Sequence, residues 1–244
     1  MNPTVTLATA RRVLSQLRHD HRTLAMLVVV PCVLLALLAW VFDGTRTFDA
    51  VGAPLLGIFP FVIMFLVTSV ATLRERTSGT LERLLTMPIG KLDLLVGYAL
   101  AFGLVAVVQA AVATALAVTL LGLDVAGPVW LLLVIAVLDA LLGMALGLLV
   151  SAFAATEFQA VQFMPAFVLP QFLLCGLLVP RERMHDILRA VSDVLPLSYA
   201  VDAMRDLSTK EGVGSSAWGD LTVVVVAIAV ALGLGAATLR LRTA

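Results

Sequence analysis

Apolar runs long enough to cross a lipid bilayer recur along this 244-residue chain, and they limit what it can fold into. A helix needs about 20 mostly apolar residues to span the hydrocarbon core. Within that core every backbone N–H and C=O must be bonded inside the protein, which favours helices. Hydrophobic residues make up 61% of the sequence and charged residues 13%, against roughly 45–50% and 25% in soluble domains. The sequence therefore predicts an all-α membrane protein.

Six of these runs are predicted to be transmembrane helices. In chain order they cover residues 24–42, 53–73, 92–122, 129–154, 158–179 and 221–239. The third is longer than a bilayer requires, so we expect it to tilt or to project from the membrane. The fifth contains Pro165 and Pro170, which predict a kinked or broken helix. Residues 24–244 are thus expected to form one transmembrane domain.

Residues 1–23 precede the first run and are polar and basic. Their apolar residues alternate with arginines such as Arg11, Arg12 and Arg18, a pattern typical of an amphipathic helix at the membrane interface. A frayed basic tail is the alternative. The first apolar run exceeds the roughly 7–15 residues of a signal-peptide core, so it is predicted to remain as a membrane anchor.

Charge sets the expected orientation and excludes one class of partner. Lys plus Arg equals Asp plus Glu, at 16 each, so no net field attracts nucleic acid. Basic residues close to membrane spans tend to stay in the cytoplasm, and placing the N-terminus inside collects most of the Lys and Arg residues there. The basic residues of the long loop after the fifth run are interleaved with acidic ones. Both termini are therefore predicted to be cytoplasmic.

The segment between the second and third runs has the pattern of a short helix. Leu81, Leu84 and Leu85 have helical spacing, and Pro88 must end the helix, which predicts an amphipathic helix at about residues 78–87. A short helix joined to two spans is suited to docking in a groove of a partner and to transmitting a tilt. Resting on lipid headgroups is the alternative.

A second segment outside the spans follows the fifth run. It carries an apolar stripe at helical spacing, formed by Met184, Ile187, Leu188, Val191 and Leu195. Pro196 is expected to close that helix, and a second helix is predicted at 198–207. We expect these outer helices, within about residues 181–207, to return into the membrane surface as a lid.

Two polar residues lie deep in predicted spans. Asp139 is the one acidic residue in such a position, and a carboxylate at the bilayer centre costs at least about 2.5 kcal/mol. Gln109 lies at a comparable depth, so a Gln109–Asp139 hydrogen bond would satisfy both side chains. Asp139 then serves either to hold helices together or to pass substrate or protons. In the same run as Asp139, Gly143 and Gly147 allow close helix contact.

Several catalytic motifs are absent from the sequence. It contains no G-x-x-x-x-G-K-[ST] loop to hold ATP phosphates, no H-E-x-x-H and no G-x-S-x-G. Cys32 and Cys175 both lie in apolar runs, where a small buried thiol is the ordinary role. No catalytic residue, cofactor site or metal site is predicted in this chain.

One stretch resembles a known family. RERTSGTLERLLTMPIGKLDLLVGY, which begins at Arg74, is similar to the cytoplasmic stretch of bacterial ABC-2-type exporter permeases of the daunorubicin-resistance and nodulation-exporter sort. Their pattern is roughly R-E-x-x-x-G-T-L-E-x-L-L-x-x-P. A second stretch, LPLSYAVDAMRDL at 195–207, is similar to the sequence before the last span in that family.

The resemblance implies a permease subunit that pairs with a second permease, identical or paralogous, and with two copies of an ATP-binding subunit. ATP and Mg would bind to those partner subunits. The helix between spans two and three would be a coupling helix that docks into a groove on the ATPase. The implied contact residues are Glu75, Gly79, Thr80, Leu81, Glu82, Arg83, Leu84 and Leu85.

The expected function is that of the permease subunit of an ATP-driven exporter in a bacterial cytoplasmic membrane, in contact with membrane lipids. The apolar pathway favours an amphipathic drug or lipid over a hydrophilic glycan. The candidate pathway residues are Gln109, Asp139, Gln162, Phe163, Phe167 and Gln171. The alternative is a proton-coupled secondary transporter with Asp139 as the carrier. A membrane-embedded enzyme would need a cluster of ionisable residues at one depth, and Asp139 alone qualifies.

Overall fold

The computed structural model describes residues 2–43, 47–78, 90–209 and 214–241. Every regular element in these ranges is helical, which confirms that the fold is all-α. The helices are α1 (Pro3–His19), α2 (His21–Val41), α3 (Thr47–Thr77), α4 (Lys91–Thr119), α5 (Val129–Ser151), α6 (Glu157–Leu174), α7 (Asp186–Ser192), α8 (Pro196–Thr209) and α9 (Ser215–Leu241), with a 3-10 turn at Arg181–Arg183.

Five of the described helices are long and apolar enough to cross a membrane. They are α2, α3, α4 from Asp93, α5, and α9 between Ser216 and Thr238. Each coincides with a predicted span, and α3 and α9 extend beyond the predicted bounds at both ends. The remaining predicted span, 158–179, forms α6, which is shorter than predicted and is not among the five. A sixth crossing therefore stays a prediction.

The two prolines of α6 do not break it. Pro165 and Pro170 both lie inside one continuous helix, so of the two predicted alternatives the break is wrong and the kink stays a prediction. The helix ends at Leu174, and Gly176 follows with a φ of 90°. Glycine adopts this backbone conformation without the strain that a side chain would bring. The chain therefore turns at Gly176, before the outer helices.

Glycines bring α3 and α5 into backbone contact. A Cβ atom placed on Gly143 would lie 2.1 Å from the carbonyl oxygen of Phe61, and one on Gly147 would lie 2.5 Å from that of Phe65. The contacts advance by four residues on both helices, about one turn each, so the two helices run in the same direction. The predicted close contact at this glycine pair is confirmed, and its partner is another helix of the same chain.

The direction of α3 defines two ends of the bundle. At its start, the Asp49 carboxylate accepts a hydrogen bond from the Asp124 backbone N–H at 3.1 Å. The Gly127 N–H nearby donates to the Leu207 carbonyl at 2.9 Å, so α8 lies over the connection between α4 and α5. We call this the α8 end. At the other end of α3 lies α1, so we call that the α1 end.

The two outer helices differ in how much they bury against the bundle, and their return into the membrane surface as a lid stays a prediction. α8 packs against α3, α5 and α9 and buries several of its residues, among them Leu197, Val201, Met204 and Leu207. By contrast, three residues of the predicted stripe remain exposed on α7, namely Ile187, Leu188 and Val191. The predicted end at Pro196 is also wrong, because α7 ends at Ser192 and Pro196 is the first residue of α8. Proline fits there, since the first helical N–H needs no partner within the helix.

The N-terminal segment is a helix with one buried face. α1 buries Thr9, Ala10 and Val13 among other residues, and it packs against α4. A Cβ atom on Gly97 would lie 2.6 Å from the Thr9 Cβ, so α4 has a glycine at the point of closest approach. Its location at the membrane interface stays a prediction.

The glycine contact between α3 and α5 can be tested with a matched pair of variants. Gly143→Ala is expected to destabilise the protein by about 1–3 kcal/mol or more, because the added methyl would displace the α3 backbone. Gly233→Ala in α9 is the control, since nothing lies within 4 Å of its Cβ position. The measurement is the thermal unfolding midpoint in detergent. Equal midpoints for the two variants would contradict this packing.

Candidate functional site

The structure describes one of the predicted ATPase-contact residues. Glu75 lies at the end of α3, whereas the rest lie outside the described residues, namely Gly79, Thr80, Leu81, Glu82, Arg83, Leu84 and Leu85. The coupling helix predicted at 78–87 is likewise undescribed apart from Ser78. The structure therefore shows how the two flanks of this segment, the end of α3 and the start of α4, are held.

Glu75 is held by α1. Its two carboxylate oxygens accept hydrogen bonds from the two terminal nitrogens of Arg12, at 3.1 and 3.0 Å. Arg12 Nη2 also donates to the Tyr98 hydroxyl on α4 at 3.1 Å. The side chain of Glu75 is 13% exposed, so most of its surface already faces the protein. Three helices thus meet at a single bidentate ion pair, a geometry that fixes orientation as well as distance.

A second set of contacts joins α1 to the start of α4. The carboxylate of Asp93 is buried. It accepts a hydrogen bond from the backbone N–H of Asn2 at 2.9 Å and one from the Thr6 hydroxyl at 3.3 Å. Residues 79–89 leave from α3 and return through Gly90 into α4. Both flanks of that segment are therefore bonded to the same helix, α1.

The end of α3 also contacts α5 and α6. Arg74 Nε and Nη2 donate to the two carboxylate oxygens of Glu157 at 2.8 and 3.1 Å, and Arg76 donates to the Ser151 carbonyl. The hydrogen bonds from Arg74 hold the pKa of Glu157 below its ordinary value, so this carboxyl is ionised at neutral pH. The end of α3 is thus bonded to the end of α5 and to the start of α6.

Sequence reasoning missed the partners of Glu75. The family pattern places Glu75 on the ATPase surface and includes neither Arg12 nor Tyr98. The basic N-terminal segment has an amphipathic pattern, but that pattern does not say which arginine faces inward. Arg12 lies between Ala10 and Val13 on the side that packs on the bundle, whereas Arg11 is exposed.

The polar residues inside the bundle do not form the predicted pair. Asp139 is fully buried, and a Cβ atom on Gly57 would lie 2.5 Å from its Oδ2 and 2.8 Å from Met204 Cε. Neither carboxylate oxygen has a hydrogen-bond partner among the described residues. The side-chain amide of Gln109 instead donates to the backbone carbonyl of Leu27 at 2.8 Å. The predicted Gln109–Asp139 hydrogen bond is therefore wrong, because the amide of Gln109 is bonded to α2.

The other predicted pathway residues lie on α6. Gln162 and Phe167 are exposed, Phe163 is half-buried and Gln171 is buried. The rings of Phe163 and Phe167 meet edge to face with centroids 6.1 Å apart, and the amide of Gln171 donates to the Phe167 carbonyl at 3.2 Å. The predicted pathway residues are thus divided between the interior of the bundle and an outer surface of α6.

Comparison with known proteins identifies similar chains. The model of the ABC-2 type transporter family matches residues 4–208. The probable multidrug ABC transporter permease YbhR of Escherichia coli strain K12 is 28% identical over 167 residues, which are 68% of this chain and 45% of that protein. The probable multidrug ABC transporter permease YbhS of the same strain is 29% identical over 147 residues, which are 60% of this chain and 39% of that protein.

A eukaryotic protein shows a comparable similarity. ABC transporter G family member 20 of Dictyostelium discoideum is 26% identical over 171 residues, which are 70% of this chain and 23% of that protein. This chain therefore spans less than half the length of the curated relatives it matches.

The attachment of α1 can be tested through the ion pair. Glu75→Gln is expected to weaken the attachment by about 1–3 kcal/mol, because Arg12 then loses its charged acceptor. The measurement is backbone hydrogen exchange in Pro3–His19, which should become faster. Arg11→Gln is the neighbouring control and should leave exchange unchanged, and the double variant Arg12→Glu/Glu75→Arg should restore part of the protection. Unaltered exchange in Glu75→Gln would show that the pair does not hold α1.

Proposed function

Because this chain belongs to the ABC-2 type transporter family, we propose that it is the membrane-embedded permease subunit of an ATP-driven exporter. Relatives named as probable multidrug ABC transporter permeases support this assignment. The substrate class we propose is an amphipathic drug or lipid-like molecule, moved out of the cytoplasm. Predominantly apolar helices with few polar groups inside favour such a substrate over a hydrophilic chain.

ATP hydrolysis is assigned to a separate subunit. The sequence contains no loop of the type that holds ATP phosphates, so ATP and Mg would be bound by partner subunits, in two copies. A second permease, identical or paralogous, would complete the assembly. In this arrangement the energy of ATP hydrolysis must enter the permease mechanically, through a contact on the cytoplasmic side.

The hydrogen bonds and ion pairs at the α1 end are the observation that most directly supports the proposal. The segment 79–89, where the family resemblance places the coupling helix, is flanked by Glu75 and Asp93, and both are bonded to α1. A force applied to this segment therefore moves the ends of α3 and α4 together with α1. The Arg74–Glu157 pair passes the same displacement to α6. We accordingly assign Glu75 a positioning role beside the docking surface. The leucines of the segment 79–89 remain the proposed contacts with the ATPase.

The contacts of α6 support a sixth crossing. Its first residue, Glu157, is paired with Arg74 at the α1 end. At its other end the Leu174 carbonyl accepts a hydrogen bond from the Ser192 hydroxyl at 2.7 Å, beside α8. With six crossings, both chain termini and residues 79–89 lie on the same side. The basic residues favour the cytoplasm for that side, in a bacterial cytoplasmic membrane.

The exposed surface of α6 supports a pathway shared with a second permease. Phe158 and Phe167 are 70% and 46% exposed, and Gln162 is exposed between them. An amide facing lipid acyl chains lacks a hydrogen-bond partner, and polar groups in that position are costly. A second subunit or the transported molecule would remove that cost. We therefore keep Gln162, Phe163 and Phe167 as pathway residues.

Proton coupling through Asp139 is the second candidate function. Its fully buried carboxyl group lacks a hydrogen-bond partner among the described residues, which is the observation that favours a role in proton transfer. Gly57 and Met204, which lie beside it, provide no side chain that could relay a proton, and the family model that matches this chain is that of ABC-2 type transporters. The ATP-driven function is therefore favoured.

The docking of an ATPase can be tested by co-purification. Leu84→Asp and Glu82→Lys are each expected to lower recovery of the ATP-binding subunit at least about tenfold, because a charge is placed in, or reversed at, the contact. Leu188→Asp on α7 is the control, since it places the same charge on an exposed leucine of the α8 end. Undiminished recovery with both coupling variants, or equal loss with the control, would contradict the proposed docking surface.

The energy source separates the two candidate functions. In cells that export an amphipathic fluorescent dye through this protein, ATP depletion is expected to abolish export, whereas an uncoupler should leave most of it when ATP is maintained. Asp139→Asn, which keeps the side-chain volume, should retain export. A carrier that uses Asp139 would show the opposite pattern: export that survives ATP depletion, stops with the uncoupler and is lost in Asp139→Asn.

A further inference from the structure

A cavity opens between α2 and α3 in the half of the bundle nearest α1. Its volume is about 660 Å³, within the roughly 300–1,000 Å³ of small-ligand pockets. α2 contributes Met26 and Val30 to its wall, α3 contributes Ile63 and Val67, and α4 contributes Phe102. None of these residues belongs to the predicted pathway. The body of the cavity is apolar and suits a hydrocarbon chain.

The end of the cavity nearest α1 carries two charged groups of opposite sign, Asp20 and Arg74, beside Glu75, which is paired with Arg12. Asp20 accepts hydrogen bonds from the Thr23 backbone N–H at 3.1 Å and from the Thr23 hydroxyl at 2.6 Å, and so caps α2. These bonds hold the pKa of Asp20 below its ordinary value, so it is charged at neutral pH. The cationic group is Arg74, which also lines this end.

Neither charge is fully engaged by the protein. Glu157 accepts hydrogen bonds from Nε and Nη2 of Arg74, and Nη1 has no hydrogen-bond acceptor among the described residues. The side chain of Arg74 is 59% exposed. Asp20 has no ion pair of 4 Å or less among the described residues. The third charge at this end, Glu75, is already neutralised by Arg12. Arg74 is paired as well, with Glu157, but this pair is much more exposed than the Arg12–Glu75 pair, and Asp20 and Arg74 attract each other without forming an ion pair of 4 Å or less. The polar end therefore presents one carboxylate without an ion pair to a described residue and one exposed guanidinium to whatever occupies the cavity.

We propose that this cavity binds one zwitterionic phospholipid from the adjoining leaflet. An acyl chain lies between α2 and α3, the cationic group of the head lies toward Asp20 and the phosphate lies toward Arg74. An anionic lipid would satisfy Arg74 and be repelled by Asp20, so a head with both charges is the better complement. The site goes beyond the proposed function, because it requires that the chain lie in a membrane and not that it export anything.

The test uses phosphatidylethanolamine with a photoactivatable acyl chain. The purified full chain is reconstituted in vesicles of phosphatidylethanolamine and phosphatidylglycerol, and the labelled peptides are identified by mass spectrometry. Wild-type protein is expected to be labelled preferentially on the cavity walls of α2 and α3. Labelling spread evenly over all membrane-facing helices would overturn the proposal.

Two variants fill the cavity from opposite walls. Val30→Trp and Val67→Phe are each expected to reduce labelling of the walls at least about tenfold, because they occupy the space of the chain. Val29→Trp is the matched control: Val29 is 53% exposed, does not line the cavity and should leave labelling unchanged. The thermal unfolding midpoint shows whether each variant folds. If one of the two cavity-filling variants does not fold, the result is taken from the other. Undiminished labelling in the folded variants overturns the proposal.

The head group is tested by a change of charge at constant shape. Asn at position 20 can still cap α2, so Asp20→Asn removes the charge alone. The wild-type preference for phosphatidylethanolamine over a photoactivatable phosphatidylglycerol is expected to fall at least about threefold in this variant. Asp43→Asn, beyond the opposite end of α2, should keep the preference. Equal labelling of wild-type protein by the two lipids would overturn the zwitterionic assignment.

Discussion

The backbone contact between α3 and α5 is the interaction on which the other parts of this bundle depend. Without side chains at Gly143 and Gly147, the two helices approach until carbonyl groups of α3 meet the α5 backbone. Lipid offers little hydrophobic drive for helix association, so close van der Waals packing of small residues has to hold spans together. The other neighbours of α3 are α2, α4, α6 and α8, with α1 reached through the Arg12–Glu75 pair, and they pack on a helix whose position this glycine contact fixes.

Charged contacts are concentrated at the two ends of the bundle. At the α1 end, ion pairs of α3 with α1 and α6 surround the segment between α3 and α4. At the α8 end, Arg181 is paired with Asp193 and Asp202 and lies 5.0 Å from the ring centroid of Tyr199. The middle of the bundle is held by packing alone, apart from a few isolated polar groups. In the proposed mechanism, the helices would carry movement from one end to the other, and the ion pairs would determine which helix ends move together.

Much of this fold could be predicted from the sequence, because its largest features depend on local composition. Five spans and the glycine contact follow from apolar length and residue size. α6 is harder to identify as a span from composition, because its glutamines lower its apolar character. Its contacts nevertheless extend from one end of the bundle to the other. The predicted Gln109–Asp139 hydrogen bond is wrong for a different reason. The depth of a residue in the membrane can be counted along a helix, but the direction in which its side chain points around the helix axis depends on packing. The Arg12–Glu75 pair joins residues far apart in sequence and leaves no local pattern.

The position of Met204 against Asp139 has a consequence for how the protein is made. Asp139 enters the bilayer when α5 is synthesised, at a time when α8 does not yet exist. Until Met204 arrives, one side of this carboxyl group lacks its final cover, and the translocation machinery or lipid headgroups must tolerate it. The bundle therefore cannot mature strictly in the order of translation: the centre of α5 reaches its final environment only after α8, from the last third of the chain, has packed against it.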